Sequence, residues 1–342
     1  MKSILYVGNR LFSSNTNITA IHTLGSLLES EHYKVIYTSG KTNKFLRLCD
    51  MLFTLLKVRK NVSCVLIDTY STQNFYFALF ISQLARVCKL KYIPILRGGN
   101  LSLRLKQNPR FSNLIFNNAQ INVSPSLFLK KEFEAFGYQN VTHIPNTIKI
   151  NEYPFQTKTF DTPRLLWVRS FSKIYNPELA IHVLHRLKKT YPKATLCMVG
   201  PNADGTLSQV KQLASDLNLE VDFTGKLKKQ EWISVSKAYN IFINTTNFDN
   251  TPVSVIEAMA LGLPIISTNV GGMPYLIKNR VDGLLVEPDD TELMVEAIIS
   301  VMENPKKRQD MIHEARQKVE TFDWSQIKPL WFKVLPNITS NS

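Results

Sequence analysis

The sequence predicts an α/β protein with two doubly wound, Rossmann-like domains, each built on a parallel sheet. Short apolar runs alternate with amphipathic helical patterns along most of the 342 residues, which is the pattern of βαβ units. The runs are apolar on both faces, as in parallel strands that helices cover on both sides. Between residues 145 and 163 a segment rich in Asn, Thr, Phe and Pro interrupts the alternation, which then resumes. We therefore expect a second domain built like the first.

Equal numbers of predicted strands lie on the two sides of that segment. The first set covers residues 3–7, 34–38, 64–68, 92–96, 121–123 and 141–144, and the second covers 165–168, 195–199, 221–223, 241–244, 264–267 and 283–286. We expect an N-terminal domain over residues 1–150, a second domain over 163–318, and an aromatic C-terminal helix within 319–342 that returns to the first domain. In folds of this class, ligands bind beyond the carboxyl ends of the strands.

The composition is that of a globular protein, with 44% hydrophobic and 20% charged residues. No apolar run reaches the roughly 18 residues that a membrane-spanning helix needs. Residues 1–12 also lack a secretory apolar segment, so we expect neither an integral membrane protein nor a secreted precursor. The four cysteines are dispersed without paired spacing, which is typical of reduced thiols in a cytoplasmic protein.

The positive charge of the chain is concentrated in its first part. Residues 1–150 contain 19 Lys and Arg against 6 Asp and Glu, whereas the remainder contains 22 against 21, so the net charges are +13 and +1. This asymmetry indicates an anionic partner for the first domain: a membrane surface, an acidic or lipid-phosphate substrate, or nucleic acid. No nucleic-acid-binding module is recognisable and aromatic residues do not interleave with the basic ones, so we do not expect nucleic acid.

Residues 41–60 are both basic and amphipathic. Six basic residues lie toward the ends of the segment, from Lys41 to Lys60. Its apolar residues on one helical stripe are Phe45, Leu48, Leu52, Leu55 and Leu56. Such a helix could lie in the interface of an anionic bilayer, and the alternative is an ordinary core helix with solvated charges. Residues 75–85 are more uniformly apolar and are predicted to be core.

Two carboxylates flank a predicted helix start in the second domain. Asp249 lies in a loop and Glu257 lies eight positions later, within the first turns of the helix. Between them, Thr251, Pro252 and Val253 form the helix start, whose N–H groups have no partner within the helix. Donors for phosphate oxygens are therefore expected beside acceptors for sugar or ribose hydroxyls.

Two cations are predicted at the first strand-to-helix turn of the second domain. Arg169 and Lys173 lie four residues apart there, where fixed positive charge could neutralise a diphosphate leaving group. A further turn, formed by Gly225, Lys226 and Leu227, follows a predicted strand of the same domain.

Together these motifs resemble the retaining glycosyltransferases of family 4, also described as glycosyl transferases group 1, whose two-domain fold is called GT-B. The family hallmark is a pair of glutamates separated by seven residues before an EAMA-type helix. Glu257 matches the second glutamate, Asp249 occupies the place of the first, and Gly271 and Gly272 match the family's glycine pair. The resemblance covers residues 165–332 and is most specific over 249–288.

The resemblance implies two domains that face each other across a deep cleft and transfer of a hexosyl group, with retention, from a UDP- or GDP-sugar to a saccharide or lipid-linked saccharide. It assigns the donor ribose to Glu257, the donor sugar to Asp249, and the diphosphate to Arg169 and Lys173. The nucleobase would be held by main-chain groups of the turn at residues 225–227. No Asp-x-Asp triplet or metal-ligand spacing occurs, so we expect no metal and no other cofactor.

The first domain departs from the family pattern. The family's early glycine-rich loop corresponds to residues 8–19, where Gly8 is the single glycine. Arg97 occupies the place of a frequent active-site histidine, where it could meet an anionic acceptor or the donor phosphate, or belong to a purely structural turn. In the second domain, Tyr275 replaces a frequent glutamate.

The expected setting is bacterial synthesis of surface polysaccharide, lipopolysaccharide or capsule. The protein would be cytoplasmic and could be peripheral on the inner face of the membrane. The replacements at Asp249, Arg97 and Tyr275 leave open a non-catalytic nucleotide- or glycan-binding protein of the same fold in a membrane-associated assembly. A sugar-nucleotide epimerase or phosphorylase on the same architecture is a further alternative.

Overall fold

The computed structural model of the chain describes residues 3–9 and 20–336. These residues form two compact units. Unit 1 contains the described residues up to Thr147 and those from Trp324 onward, and unit 2 is Ile148–Asp323. Each unit has a six-stranded parallel sheet, so the predicted fold class of two doubly wound α/β domains is confirmed. Residues 10–19 of the expected glycine-rich loop and residues 337–342 of the expected C-terminal helix lie outside the described part.

Unit 1 follows a β-α alternation. Its strands are β1 (Ser3–Val7), β2 (Lys34–Thr38), β3 (Cys64–Thr69), β4 (Tyr92–Leu96), β5 (Asn122–Ser124) and β6 (Val141–His143). Its helices before residue 147 are α1 (Ala20–Ser30), α2 (Lys44–Val58), α3 (Asn74–Val87), α4 (Leu101–Gln107), α5 (Pro109–Phe116) and α6 (Leu127–Ala135). The strand order is β2-β1-β3-β4-β5-β6. The order reverses between β1 and β3, and such a switch point opens a crevice at the strand carboxyl ends.

Unit 2 repeats the alternation. Its strands are β7 (Arg164–Val168), β8 (Thr195–Val199), β9 (Asp222–Gly225), β10 (Ile241–Asn244), β11 (Ile265–Thr268) and β12 (Leu284–Val286). Its helices are α7 (Pro177–Leu187), α8 (Thr206–Asp216), α9 (Lys229–Ser236), α10 (Val253–Ala260), α11 (Met273–Leu276), α12 (Thr291–Glu303) and α13 (Pro305–Glu320). Short 3₁₀ turns occur at Ile150–Glu152 and Lys173–Tyr175. The strand order is β12-β11-β10-β7-β8-β9, so the switch point lies between β7 and β10.

The last helix, α14 (Trp324–Val334), belongs to unit 1. It packs with α1 on one face of the sheet, where Trp324 and Trp331 are buried. The indole Nε1 of Trp324 donates to Glu31 Oε1 at 3.0 Å, and the Lys328 ammonium lies 3.1 Å from the same oxygen. The opposite face of the sheet is covered by α2, α3, α5 and α6.

Two helices of unit 1 are less buried than their apolar composition predicts. In α2, Leu55 is buried but Phe45 and Leu56 of the predicted stripe are 73% and 40% exposed. In α3, which the sequence predicts to be core, Phe75 is buried whereas Phe80 is 50% exposed. The reason is that each helix covers the sheet with one side only, while apolar residues occupy both sides. None of the helices in the described part of the chain combines the length and the hydropathy that a bilayer crossing demands.

The loops at the carboxyl ends of the unit 2 strands pack so closely that side chains are excluded. A Cβ added at Gly200, after β8, would overlap the carbonyl of Arg169, after β7. A Cβ added at Gly272, after β11, would likewise overlap the Asn250 carbonyl. The N–H of Gly272 donates to the Asp249 carbonyl at 2.8 Å. The glycine pair thus fixes the position of the loop that carries Asp249.

We expect Gly272→Ala to lower the free energy of unfolding by about 3 kcal/mol, the upper end of the range for overpacking. Gly272 has φ −83°, which alanine adopts readily, so the cost is steric. Gly205→Ala is the control, because φ is +88° there and an added Cβ meets no atom within 4 Å. Its expected cost is about 1 kcal/mol of backbone strain. Urea denaturation measures both, and equal costs would contradict the close packing of the loop.

Candidate functional site

Arg169 and Asp249 meet at the switch point of unit 2. Arg169 directly follows β7, and its N–H donates to the Val199 carbonyl at 3.0 Å. Asp249 lies in the loop between β10 and α10. The two side chains form an ion pair and are 15% and 14% exposed. The ring of Tyr175 lies 4.1 Å from the Arg169 guanidinium carbon, within the range of a cation–π contact. The structure therefore brings together two of the predicted catalytic residues.

Lys173 lies on a well-anchored turn beside this pair in sequence. The Asp204 carboxylate accepts hydrogen bonds from the hydroxyl of Ser172 at 2.8 Å and from the N–H of Lys173 at 3.1 Å. Hydrogen bonds from Thr206 and Ser172 lower the pKa of Asp204 to about 2, so the anchor is ionised at neutral pH. The Lys173 side chain is exposed, and within the described residues no carboxylate pairs with its ammonium. Its charge is available to an external anion.

The start of α10 also presents unpaired polar groups. Pro252 is the N-cap, and no side chain caps the helix. Among the described residues, the N–H groups of Val253 and Ser254 have no hydrogen-bond acceptor. The buried Ser254 hydroxyl and Asn250 side-chain oxygen are also unpaired. Such groups normally find partners, and a helix start with open N–H groups suits phosphate oxygens. Thr251 is half-buried in the same loop.

Glu257 lies on α10 and is 7% exposed. Its carboxylate accepts a hydrogen bond of 2.5 Å from the Tyr153 hydroxyl and lies 3.4 Å from the Lys229 ammonium. Burial raises the pKa of Glu257, while the charge of Lys229 and the hydroxyl of Tyr153 act in the opposite direction. Burial and the nearby Glu257 raise the pKa of Tyr153. Tyr153 therefore donates a hydrogen bond to the Glu257 carboxylate, and Lys229 helps to keep that carboxylate ionised.

The predicted base-binding turn leads directly to Lys229. Gly225 has φ +70°, and an added Cβ would meet no atom within 4 Å. Its carbonyl accepts a hydrogen bond from the Gly200 N–H at 2.9 Å. Lys226 and Leu227 are half-buried, and α9 begins at Lys229. The ion pair between Lys229 and Glu257 thus connects this turn to the predicted ribose-binding carboxylate.

In unit 1, Arg97 belongs to a buried polar cluster. Its Nε lies 3.1 Å from Asp68 Oδ1, and its Nη1 donates to Asn146 Oδ1 at 2.8 Å. The Tyr6 hydroxyl also donates to Asp68 Oδ1, at 3.1 Å. Burial raises the pKa of Asp68, and Arg97 opposes this shift. Gly8 follows β1 at the switch point, and an added Cβ there would lie 2.9 Å from Asp68 Oδ2.

Sequence reasoning missed four polar residues of these clusters: Tyr6, Asp68, Tyr153 and Lys229. Asp68 ends a predicted strand, so its place at the strand carboxyl end was an available signal. Tyr153 and Lys229 lie in no recognisable local motif. Each contacts Glu257 only through tertiary packing, which the sequence does not reveal. Over residues 3–9 and 20–336, no group of three or more His, Cys, Asp or Glu side chains is placed to hold a metal ion.

Comparison with known proteins agrees with this geometry. Residues 149–318 match the model of the family described as Glycosyl transferases group 1. Glycogen synthase from Mycobacterium tuberculosis (strain H37Rv) is 26% identical over 196 residues, which are 56% of this chain and 47% of that protein. A GDP-mannose-dependent monoacylated alpha-(1-6)-phosphatidylinositol monomannoside mannosyltransferase from Corynebacterium glutamicum is 30% identical over 141 residues, or 39% of this chain and 36% of that protein. The chain thus spans less than half the length of these relatives.

A solved structure shares the fold over almost the full chain. Anabaena Alr3699/HepE, in complex with UDP and glucose, has a TM-score of 0.77 at 16% identity, covering 97% of this chain and 99% of that one. At this identity the similarity shows the fold alone, which is the GT-B architecture of two Rossmann-like domains. The glycosyl transferases group 1 model thus matches almost all of unit 2, and the solved structure shares the GT-B fold of both units.

Proposed function

We propose that this protein is a retaining glycosyltransferase of family 4 that moves a hexosyl group from a UDP- or GDP-sugar to a saccharide or lipid-linked saccharide. The observation that carries the proposal is the pairing of Arg169 with Asp249 at the switch point of unit 2. Lys173 follows on the same loop as Arg169, and the open start of α10 follows Asp249. This arrangement joins fixed positive charge, free N–H donors and a carboxylate, which a diphosphate-linked sugar requires.

Each residue has a definite task in the proposed reaction. The bond between the anomeric carbon and the β-phosphate oxygen breaks, and its electron pair goes to the phosphate. Arg169, Lys173 and the N–H groups of Val253 and Ser254 stabilise that negative charge. The acceptor oxygen bonds to the anomeric carbon on the same face and transfers its proton to the departing phosphate. Asp249, held by Arg169, contacts the donor sugar.

The nucleoside would be bound by the groups around α9. The Glu257 carboxylate accepts hydrogen bonds from the ribose hydroxyls, and main-chain groups at Gly225, Lys226 and Leu227 hold the base. The chemistry assigned to these residues is charge stabilisation and hydrogen bonding, which needs no metal ion. We therefore propose that donor binding is independent of divalent cations.

On the acceptor side, we assign Arg97 and Gly8 of unit 1, because both adjoin buried Asp68 at a strand switch point. A lipid-linked acceptor is supported by the basic character of residues 1–150 and by the lipid named as acceptor in the C. glutamicum relative. We propose a role in bacterial surface polysaccharide, lipopolysaccharide or capsule synthesis, at the cytoplasmic side of the membrane.

A non-catalytic nucleotide-binding protein is the second candidate, alongside a sugar-nucleotide epimerase or phosphorylase. The observation that favours a non-catalytic protein is that Asp249, shorter than glutamate, is already paired with Arg169. The experiments below separate nucleotide binding from transfer.

UDP or GDP should raise the unfolding temperature in the presence of EDTA. At a hundredfold excess over Kd, binding to the native state contributes about 2.7 kcal/mol. Lys173→Ala should raise Kd about 10- to 100-fold, the cost of one charge-assisted hydrogen bond. Lys189→Ala, which removes an exposed lysine elsewhere in unit 2, is the matched control. If UDP, GDP and ADP all leave the unfolding temperature unchanged, the proposed donor site is wrong.

Asp249→Asn should separate binding from chemistry. The amide keeps the shape of the side chain but loses the charge near the reacting centre, so kcat should fall at least a hundredfold. The Kd for UDP should change less than threefold. Release of UDP from UDP-glucose, or of GDP from GDP-mannose, measures turnover. Wild-type binding without turnover on any acceptor would favour the non-catalytic protein.

Donor binding should weaken at acid pH, because protonated Glu257 is a poorer acceptor for ribose hydroxyls. Burial raises the pKa of Glu257 and Lys229 lowers it, so Lys229→Met should move the loss of affinity to higher pH. Calorimetric Kd values for UDP measured across the acid range check this. Glu257→Gln is the control. It has no titrating group at this position, so any change in its Kd with pH comes from titration of UDP itself. An unchanged midpoint in Lys229→Met would show that Lys229 does not tune Glu257.

A further inference from the structure

Exposed large apolar side chains are concentrated in unit 1. Of the sixteen that the described residues leave exposed, eleven lie in this unit. Single exposed apolar residues are normal, whereas a contiguous group of them marks an interaction surface.

Helix α2 has two distinct apolar sides. One side, with Met51 and Leu55, is buried against the sheet. The other points to solvent: Phe45 is 73%, Leu46 55%, Phe53 67% and Leu56 40% exposed. At 100° per residue these four side chains fall within one third of the helix circumference. Packing of α2 on its own sheet therefore leaves a continuous apolar stripe uncovered.

The neighbouring helices α3 and α5 continue this surface. Helix α3 contacts both α2 and α5, and all three cover the same face of the sheet. Phe80 and Val87 of α3 are 50% and 79% exposed, and Phe111 and Leu114 of α5 are 41% and 40% exposed. The Gln83 side chain donates to the Leu114 carbonyl at 3.0 Å, which fixes α3 against α5.

Positive charge surrounds the apolar residues. Residues 41–120, which contain the three helices, have 13 Lys and Arg against 2 Asp and Glu, or +11 of the total +14. Of these residues, Arg47 is buried and Arg97 pairs with buried Asp68, which leaves eleven basic residues against one acidic residue, Asp50. Exposed Lys57 lies in the last turn of α2 and exposed Lys60 follows the helix, while exposed Lys89 follows the end of α3. A second copy of the chain would bring like charge to this surface, whereas anionic lipid would bring opposite charge.

We propose that the outer faces of α2, α3 and α5 form a docking surface for an anionic lipid bilayer. The phenylalanines and leucines enter the boundary between headgroups and acyl chains, and the lysines and arginines contact lipid phosphates. This surface is broader than the segment of residues 41–60 that the sequence indicates. The proposal rests on the proposed function in one respect: the purpose of lipid binding would be access to a lipid-linked acceptor.

Vesicle flotation with the full chain tests the proposal. The protein should float with phosphatidylcholine vesicles containing 30% phosphatidylglycerol and not with phosphatidylcholine alone, and 1 M NaCl should weaken binding. The double variant Phe45→Ser, Phe53→Ser should bind at least tenfold more weakly. Because both side chains are exposed, its thermal unfolding should match the wild type. Leu293→Ser, an exposed apolar position in unit 2, should bind like the wild type.

Charge is tested by matched pairs of substitutions. Lys57→Gln with Lys60→Gln should weaken binding about fivefold for each lysine. Lys189→Gln with Lys193→Gln removes the same charge from exposed positions of unit 2 and should have no effect. Absence of wild-type binding, equal losses in both pairs, or a wild-type dimer that the phenylalanine variant disperses would overturn the proposal. Stabilisation by UDP, measured on the same variants, should be unchanged, so a failed donor site is distinguished from a failed lipid surface.

Discussion

The ion pair between Arg169 and Asp249 is the interaction on which the candidate site of unit 2 depends. It joins the loops that follow β7 and β10, the two strands on either side of the switch point. Those loops approach only because the neighbouring loops contain glycine at Gly200 and Gly272, where any side chain would overlap a carbonyl. Gly200 and Gly272 thus have a structural role, because the backbone packing that they permit determines where Arg169 and Asp249 lie.

The ion pair also determines how charge is distributed in the site. Asp249 partly compensates the charge of Arg169, and Lys173 and the open N–H groups of α10 add positive charge that no carboxylate of the described residues compensates. In the middle of α10, burial disfavours the charge on Glu257, and Lys229 at 3.4 Å compensates in part. A carboxylate at 7% exposure without such a cation would tend to take up a proton. Lys229 at the start of α9 therefore matters as much to the proposed nucleoside site as the motif that contains Glu257.

The fold was predictable because parallel strands covered on both faces are continuous apolar runs, and all of the expected strands in each unit are present. Arg169, Lys173, Asp249 and Glu257 were identifiable because each lies in a short local motif. Tyr153 was not, since it reaches Glu257 from 104 residues away in the chain. Periodicity placed most of α3 in the core, as predicted, but it did not identify the exposed apolar residues of α2 and α3, because Phe53 or Phe80 has the same pattern whether it faces the sheet or the solvent. Only packing decides which side is covered.

The two units use positive charge in physically different ways. In unit 2, with a nearly balanced charge, the proposed anion-binding groups are few and are held in place by their neighbours, as the Lys173 main chain is by Asp204. Fixed donors of this kind need little reorganisation when they bind a ligand, and they select the ligand by its geometry. In unit 1 the charge is spread over exposed, flexible lysines, which bind any dense array of phosphates and are screened by salt over about 8 Å at physiological ionic strength. The fixed geometry of unit 2 would suit a small, defined donor. The dense charge of unit 1 would suit an extended lipid surface of variable composition. The site residues of unit 2 lie in short local motifs, so they can be identified from the sequence. The surface of unit 1 is assembled from three helices, so its full extent is seen only in the folded structure.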